Sequence, residues 1–283
     1  MVLFNKIIRR LIRILLFIFL IAGAALAATF LTLHPSNNRQ WEAAHAVLPQ
    51  VTINGNDITV HNLRSFRYRS ETDYDIHYRD TSFPLSDIQG VDFVVEPFYN
   101  FKPFAHTMVS FRLASGDNIT ISIEARREQG EPWDAKRGLV RQYELMYIIA
   151  DEPDAVYLRT NIRHDQVYLY PTIVTSEQAQ ALFLEMADNT NKLYTHPEFY
   201  NILTNNCTSR LVENVNTIAP KPIRFSWRYV LPGYATSLAY DLGLLGTDHS
   251  LSELESRSQI NAKADGITDL DMYSKQIRSS ATK

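Results

Sequence analysis

Phe104-Ala-His-Thr-Met-Val-Ser-Phe-Arg-Leu113 and Asn118-Ile-Thr-Ile-Ser-Ile-Glu-Ala-Arg126 alternate strictly, with Thr107, Val109, Phe111 and Leu113 on one face of the first run and Ile119, Ile121, Ile123 and Ala125 on one face of the second. A period of two held this long means paired β-strands. If both apolar sets share a face and the turn is Ala114-Ser115-Gly116, with Gly116 left-handed, the register is fixed: Val109 faces Ile121 and His106 faces Glu124. A one-residue slip would move every apolar side chain to the wrong face.

Outward from this hairpin the chain alternates strand and helix signals. Val51 to Val60 is two short β runs around an Asn-Gly turn. The stretch from Arg64 to Phe83 is rich in Tyr and Arg, lacks a helical period, and reads as extended structure and loop; it lines a groove or consists of edge strands with solvated arginines. Further strands are predicted over 139–150, 155–160 and 166–170, which are rich in β-branched and aromatic residues. A helix is predicted after Pro171, where Thr175 and Gln178 fit a capping box and Ala179, Leu182, Phe183 and Met186 keep helical spacing, ending near Asn191. A second begins at Asn206 or Cys207, with Leu211, Val212, Val215 and Ile218 as its buried stripe and Pro220 closing it. Beyond His249 the tail is polar and reads as a surface helix or partly disordered. The pattern is α+β, with a central antiparallel sheet.

The N-terminus differs in composition. Lys6, Arg9, Arg10 and Arg13 precede a 20-residue run, Ile14 to Leu33, without a charge. That is long enough to cross about 30 Å of hydrocarbon, with the basic residues 1–13 kept in the cytoplasm. Ala25-Leu26-Ala27 also fits a signal-peptidase site, so 14–33 is read as a transmembrane anchor or a signal sequence, and either exports the remainder. Removing these four from 28 basic side chains leaves 24 against 31 acidic ones, so the body is acidic; this argues against a nucleic-acid surface.

Cys207 is the single cysteine, in the polar run Thr204-Asn-Asn-Cys207-Thr-Ser-Arg210 where loop gives way to helix. One thiol in an exported chain forms no internal disulfide. At a helix N-terminus the partial positive charge favours thiolate, an imidazole can take and return its proton, and a carboxylate can orient that imidazole. Cys207, His106 and Glu124 are therefore the candidate nucleophile, base and orienting group, with backbone N–H groups of Cys207 and its neighbours as oxyanion donors. The bland alternatives are a small buried hydrophobe, a structural histidine and a surface carboxylate paired to Arg126 or Arg127. No G-x-S-x-G elbow, phosphate loop, dinucleotide fingerprint or H-E-x-x-H motif occurs, and one cysteine with scattered histidines builds no ordinary zinc site. No cofactor or metal is expected.

Asn62-Leu-Arg-Ser-Phe-Arg-Tyr-Arg69, Ala105-His-Thr-Met-Val-Ser-Phe111, Ile121-Ser-Ile-Glu-Ala-Arg126 and Phe199-Tyr-Asn-Ile-Leu-Thr-Asn-Asn-Cys-Thr208 together resemble the Lnb N-terminal periplasmic domain family, over about 41–246, leaving 247–283 as a polar tail. The resemblance implies a permuted papain-like, NlpC-type fold in which histidine precedes cysteine, after one N-terminal transmembrane helix. It implies an acyltransferase that acts through an acyl-Cys207 intermediate, as in lipoprotein N-acylation. The expected partners are phospholipid or lipoprotein and the bacterial inner membrane, with the domain in the periplasm. The apolar segments that would follow the catalytic helix in such an acyltransferase are not seen here, which puts the lipoprotein acceptor in doubt. A cell-wall peptide amidase of the NlpC type and a non-catalytic envelope binding domain are the alternatives. A long apolar trench would favour a lipid chain; polar contacts and opposed charges would favour a peptide.

Overall fold

The computed structural model describes residues 2–98 and 102–279. It divides into two compact units, Met1–Ser36 and Asn37–Lys283. The first is one helix, α1 (Val2–Thr32), which carries the basic cluster and the apolar run together. Side chains from Leu11 to Ile21 stand exposed on it, Phe19 at 81%. Among the described residues no helix is long and apolar enough to cross a membrane. Residues 25–27 and 29–31 of the expected span at 14–33 lie outside the described side chains, so that span is not shown.

The second unit is built on a sheet of eight strands: β1 (Gln50–Asn54), β2 (Asp57–Arg64), β5 (Tyr78–Pro84), β6 (Ile88–Pro97), β7 (Ala105–Leu113), β8 (Ile119–Arg126), β9 (Glu144–Asp151) and β10 (Tyr168–Pro171). A separate two-stranded ribbon pairs β3 (Arg67–Tyr68) with β4 (Tyr74–Asp75). The sheet order is β1-β2-β9-β8-β7-β6-β10, with β5 also on β2. All pairs are antiparallel except a single parallel step, Arg64 to Ala150. The fold is thus α+β around a mostly antiparallel sheet, as the alternation predicts.

The central hairpin has the predicted register, Val109 opposite Ile121 and Phe111 opposite Ile119, with Gly116 at φ 87° in the turn. Odd-numbered residues of β7, β8 and β9 face α3 (Ser176–Thr195) and α4 (Cys207–Ile218), forming a core with Leu182, Phe183 and Leu211. Both helices start as their caps dictate. Thr175 and Gln178 close a capping box on α3, and Asn206 accepts from the Thr208 and Ser209 amides of α4. α3 runs one turn beyond Asn191, to Thr195.

Even-numbered residues are covered too. Val94, Met108, Met146 and Ile148 pack against Val156, Ile260, Ile267, Tyr273 and Ile277 in a second core. The tail, read as a surface helix or partly disordered, holds the mostly exposed helix α7 (Leu251–Ser258) and then two core-packed turns, α8 (Asn261–Ala264) and α9 (Tyr273–Gln276), after Pro-closed α4, the single turn α5 (Trp227–Val230) and α6 (Ala235–Asp241). Its apolar residues are too widely spaced to show a period, because each arrives on a different short element. Arg278 then ties the tail to the sheet, bonding the buried Asp92 through Nε at 3.0 Å and the buried Glu152 through Nη1 at 2.7 Å.

One further expectation is corrected, and one strand is added. Residues 155–160 are not a strand: Asp151 caps the turn α2 (Glu152–Ala155), Pro153 sits in its first turn, and a π-helical turn follows over Leu158–Ile162. The cap and proline outweigh the β-branched composition. The longest strand, β6, went unrecognised because Asp92 and Gly90 interrupt its apolar run. Asp92 is buried and held by Arg112 and Arg278, so it behaves as a core residue.

The tail's ion pair yields a test. Arg278→Ala leaves the Glu152 carboxylate buried without its cation, and is expected to destabilise the domain by about 3 kcal/mol in urea unfolding; a change below about 0.5 kcal/mol would mean the tail is not part of the folded unit.

Candidate active site

The β7–β8 ladder ends at Met108↔Ser122, while β6 stays paired to β7 as far as Pro97↔Ala105. The two strands part just where His106 and Glu124 lie. α4 sits over the odd face, and its first residue meets this opening: Cys207 Sγ is 4.0 Å from the Ala105 carbonyl oxygen, and Thr208 Oγ1 is 2.9 Å from Thr107 Oγ1. A thiol above one face and an imidazole rooted on the other thereby come together at the end of the hairpin.

All three predicted residues converge. His106 Nε2 lies 2.7 Å from Ser122 Oγ and 3.1 Å from Glu124 Oε1, and Ser122 donates to the same Oε1 at 2.6 Å. With Nε2 occupied, Nδ1 is the ring nitrogen left for sulfur. Burial works against a charged His106, but the Glu124 carboxylate and the hydrogen bond to Cys207 outweigh it and raise its pKa. Burial likewise opposes the thiolate, yet the His106 hydrogen bond and charge, with the side chain and backbone of Thr107, lower the Cys207 pKa. Both directions favour a thiolate–imidazolium pair. Cys207 is 4% exposed and faces a cavity of about 300 Å³ that also touches His106 and Glu124.

The expected oxyanion donors are fewer than the sequence indicates. Asn206 Oδ1 takes the Thr208 and Ser209 amides at 2.9 and 2.8 Å, so neither is available. Among the described residues no acceptor is recorded for the Cys207 N–H, which remains the one free amide of that turn.

Sequence reasoning missed a supporting shell. Arg159, on the π-helical turn, bonds Glu96 Oε2 at 2.6 Å and Glu124 Oε1 at 3.3 Å, and anchors to the Ala155 carbonyl. Glu96 stands directly opposite His106 in the β6–β7 ladder. The Arg159 charge offsets two carboxylates around one imidazole; burial followed by the hydrogen bond and charge of Glu96 pushes Asp165, beyond them, up to about 7. Ser122 was legible, being two residues from Glu124 on one strand face; Arg159 was not, since its segment reads as a strand. Tyr200 closes the cavity, its phenol pushed up first by burial and then by the Cys207 charge. From the Tyr and Arg rich segment, Arg64, Tyr68, Glu71 and Tyr74 line the same cavity. Arg64 is locked in place by a two-pronged bond to buried Asp154, at 2.9 and 2.7 Å.

The fold and site define a mixed α+β domain with a buried cysteine–histidine–carboxylate cluster at the end of a hairpin. The sequence model of the Lnb N-terminal periplasmic domain family matches residues 74–233, more than half the chain and the whole of this cluster. The chain belongs to that family, whose description supports a periplasmic location. Comparison with curated proteins and with solved structures gives no match.

The pair gives signed pH behaviour. Iodoacetamide alkylation of Cys207 should be fast at neutral pH; in His106→Ala the thiol loses its counter-charge, and the alkylation profile moves to higher pH. In Glu124→Gln the imidazolium loses its main partner and deprotonates at lower pH. Identical profiles for the three proteins would mean that the thiol does not sense the imidazole.

Proposed function

We propose that this chain is a membrane-anchored periplasmic thiol enzyme of permuted papain-like, NlpC-type architecture, whose first product is an acyl-Cys207 thioester. The observation that carries it is the Cys207–His106–Glu124 cluster at the head of a cavity, with both pKa directions favouring the reactive ion pair. The Cys207 thiolate adds to an ester carbonyl carbon, and the Cys207 amide steadies the oxyanion. As the intermediate collapses, the carbon–oxygen bond breaks and His106 gives its proton to the departing alcohol. An amine then attacks the thioester, His106 takes its proton, and the thiolate leaves as the amide forms. Glu124 and Ser122 keep Nε2 engaged and so aim Nδ1 at sulfur.

A phospholipid acyl donor is favoured by a second cavity of about 510 Å³, mostly apolar, between α4, α6 and the odd face of β6–β7. Thr208, the neighbour of the nucleophile, is one of its lining residues, and its size falls in the range of ligand sites. A peptide substrate, with Cys207 acting as an amidase, is the second reading; it draws on Arg64, Arg163, Glu42 and Glu71 in the lining of the Cys207 cavity. The inner-membrane anchor is supported by α1, whose described apolar side chains between Leu11 and Ile21 stand exposed. A lipoprotein amine as acceptor rests on the family resemblance.

Incubating the purified protein with detergent-dispersed phospholipid should add one acyl group, seen by intact mass and lost in Cys207→Ala. His106→Ala should slow adduct formation by about 10²–10⁴, and Glu124→Gln should cost much less than Cys207→Ala, since an orienting group contributes less than the nucleophile. Cleavage of muropeptides with no acyl adduct would favour the amidase; neither activity, with an unreactive thiol, would leave a binding domain.

A further inference from the structure

The segment Lys221-Pro-Ile-Arg-Phe-Ser-Trp-Arg-Tyr-Val-Leu-Pro-Gly-Tyr234 carries three cations and no acid in a body that is otherwise acidic. Phe225 is 80% exposed and Trp227 55% exposed, far more than large aromatic rings in a closed surface. Lys221 and Arg224 are exposed, and among the described residues no ion pair is recorded for either; Arg228 is paired to Asp241 at 2.6 Å. The segment is not a loose loop. Gly233 lies so close to the Lys102 carbonyl that a Cβ there would meet its oxygen at 1.8 Å, its N–H bonds the Pro103 carbonyl at 3.0 Å, and Trp227 packs edge-on against Tyr234. Pro232 lines the Cys207 cavity, whose lining also includes the partly exposed pair Phe98 and Trp133.

We propose that Lys221–Tyr234 is a docking strap for an anionic lipid surface, seating Phe225 and Trp227 at headgroup level and turning the mouth of the Cys207 cavity toward the bilayer. Aromatic rings with one wet edge favour that interface, and basic side chains beside them are drawn to negative headgroups. An acidic protein partner would meet the same cations, but the exposed Phe225 and Trp227 rings beside them suit a headgroup layer into which they can insert. The docking does not require Cys207 chemistry, so acyl-adduct formation on detergent-dispersed lipid remains a separate readout.

The test uses residues 37–283, which hold both cores and every strand, in flotation with vesicles of phosphatidylcholine alone or with about one third phosphatidylglycerol. The body is expected to float with the anionic vesicles, less at high salt, and poorly with neutral ones. Replacing both Lys221→Gln and Arg224→Gln should weaken binding about thirtyfold, at roughly fivefold per charge. Phe225→Ser with Trp227→Ser should abolish flotation while leaving the thermal unfolding midpoint within a few degrees. Quenching by brominated lipid should be largest for wild type and fall in Trp227→Phe. The proposal is overturned if wild type does not float, if strap variants bind as wild type does, or if Lys263→Gln with Lys275→Gln, away from the strap, lowers binding equally.

Discussion

The end of the β7–β8 ladder governs the rest of the molecule. A helix packed on one side of a sheet cannot normally touch side chains rooted on the other, because the strands themselves stand between. Here hydrogen bonding between β7 and β8 stops at Met108↔Ser122, and the first turn of α4 enters where the strands part. The Thr107–Thr208 hydroxyl pair pins helix to strand at that point. Without the parting, Cys207 and His106 would be neighbours in sequence logic only.

Around that opening the charges are arranged as a chain. Glu96 and Glu124 flank His106, Arg159 joins the two carboxylates, and Cys207 sits at the far end of the imidazole. Each member is buried or half-buried, so each charge depends on its neighbour for compensation. The even face elsewhere repeats the device, with Arg278 between Asp92 and Glu152 and Arg64 on Asp154. The even face thus carries several buried ion pairs, and the C-terminal tail supplies the cation, Arg278, for one of them.

How much of this could be read from the chain depends on whether the signal was local. The β7–β8 register, the β1–β2 hairpin, which turns at Gly55-Asn56 one residue past the expected Asn54-Gly55, and both helix caps follow from period, turn residues and cap residues within a few positions, and they put His106 opposite Glu124 and Cys207 at a helix start. β6 was hidden by Asp92 and Gly90, whose meaning lies in Arg278 and Arg112, far away or across the strand. The π-helical turn bearing Arg159 was hidden for the opposite reason, since its own composition favours a strand and only the Asp151 cap redirects it. The tail's contribution was invisible because Ile260, Ile267, Tyr273 and Ile277 reach one core from separate short elements.

A solitary sulfur also sets the domain's response to oxidants. A thiolate is readily converted to a sulfenic acid, and that species is ordinarily rescued by condensing with a second thiol. This chain offers none, as Cys207 is its single cysteine. With the sulfur 4% exposed, the cavity is the route by which an oxidant reaches it, and recovery after damage must come from an external reductant that follows the same route inward.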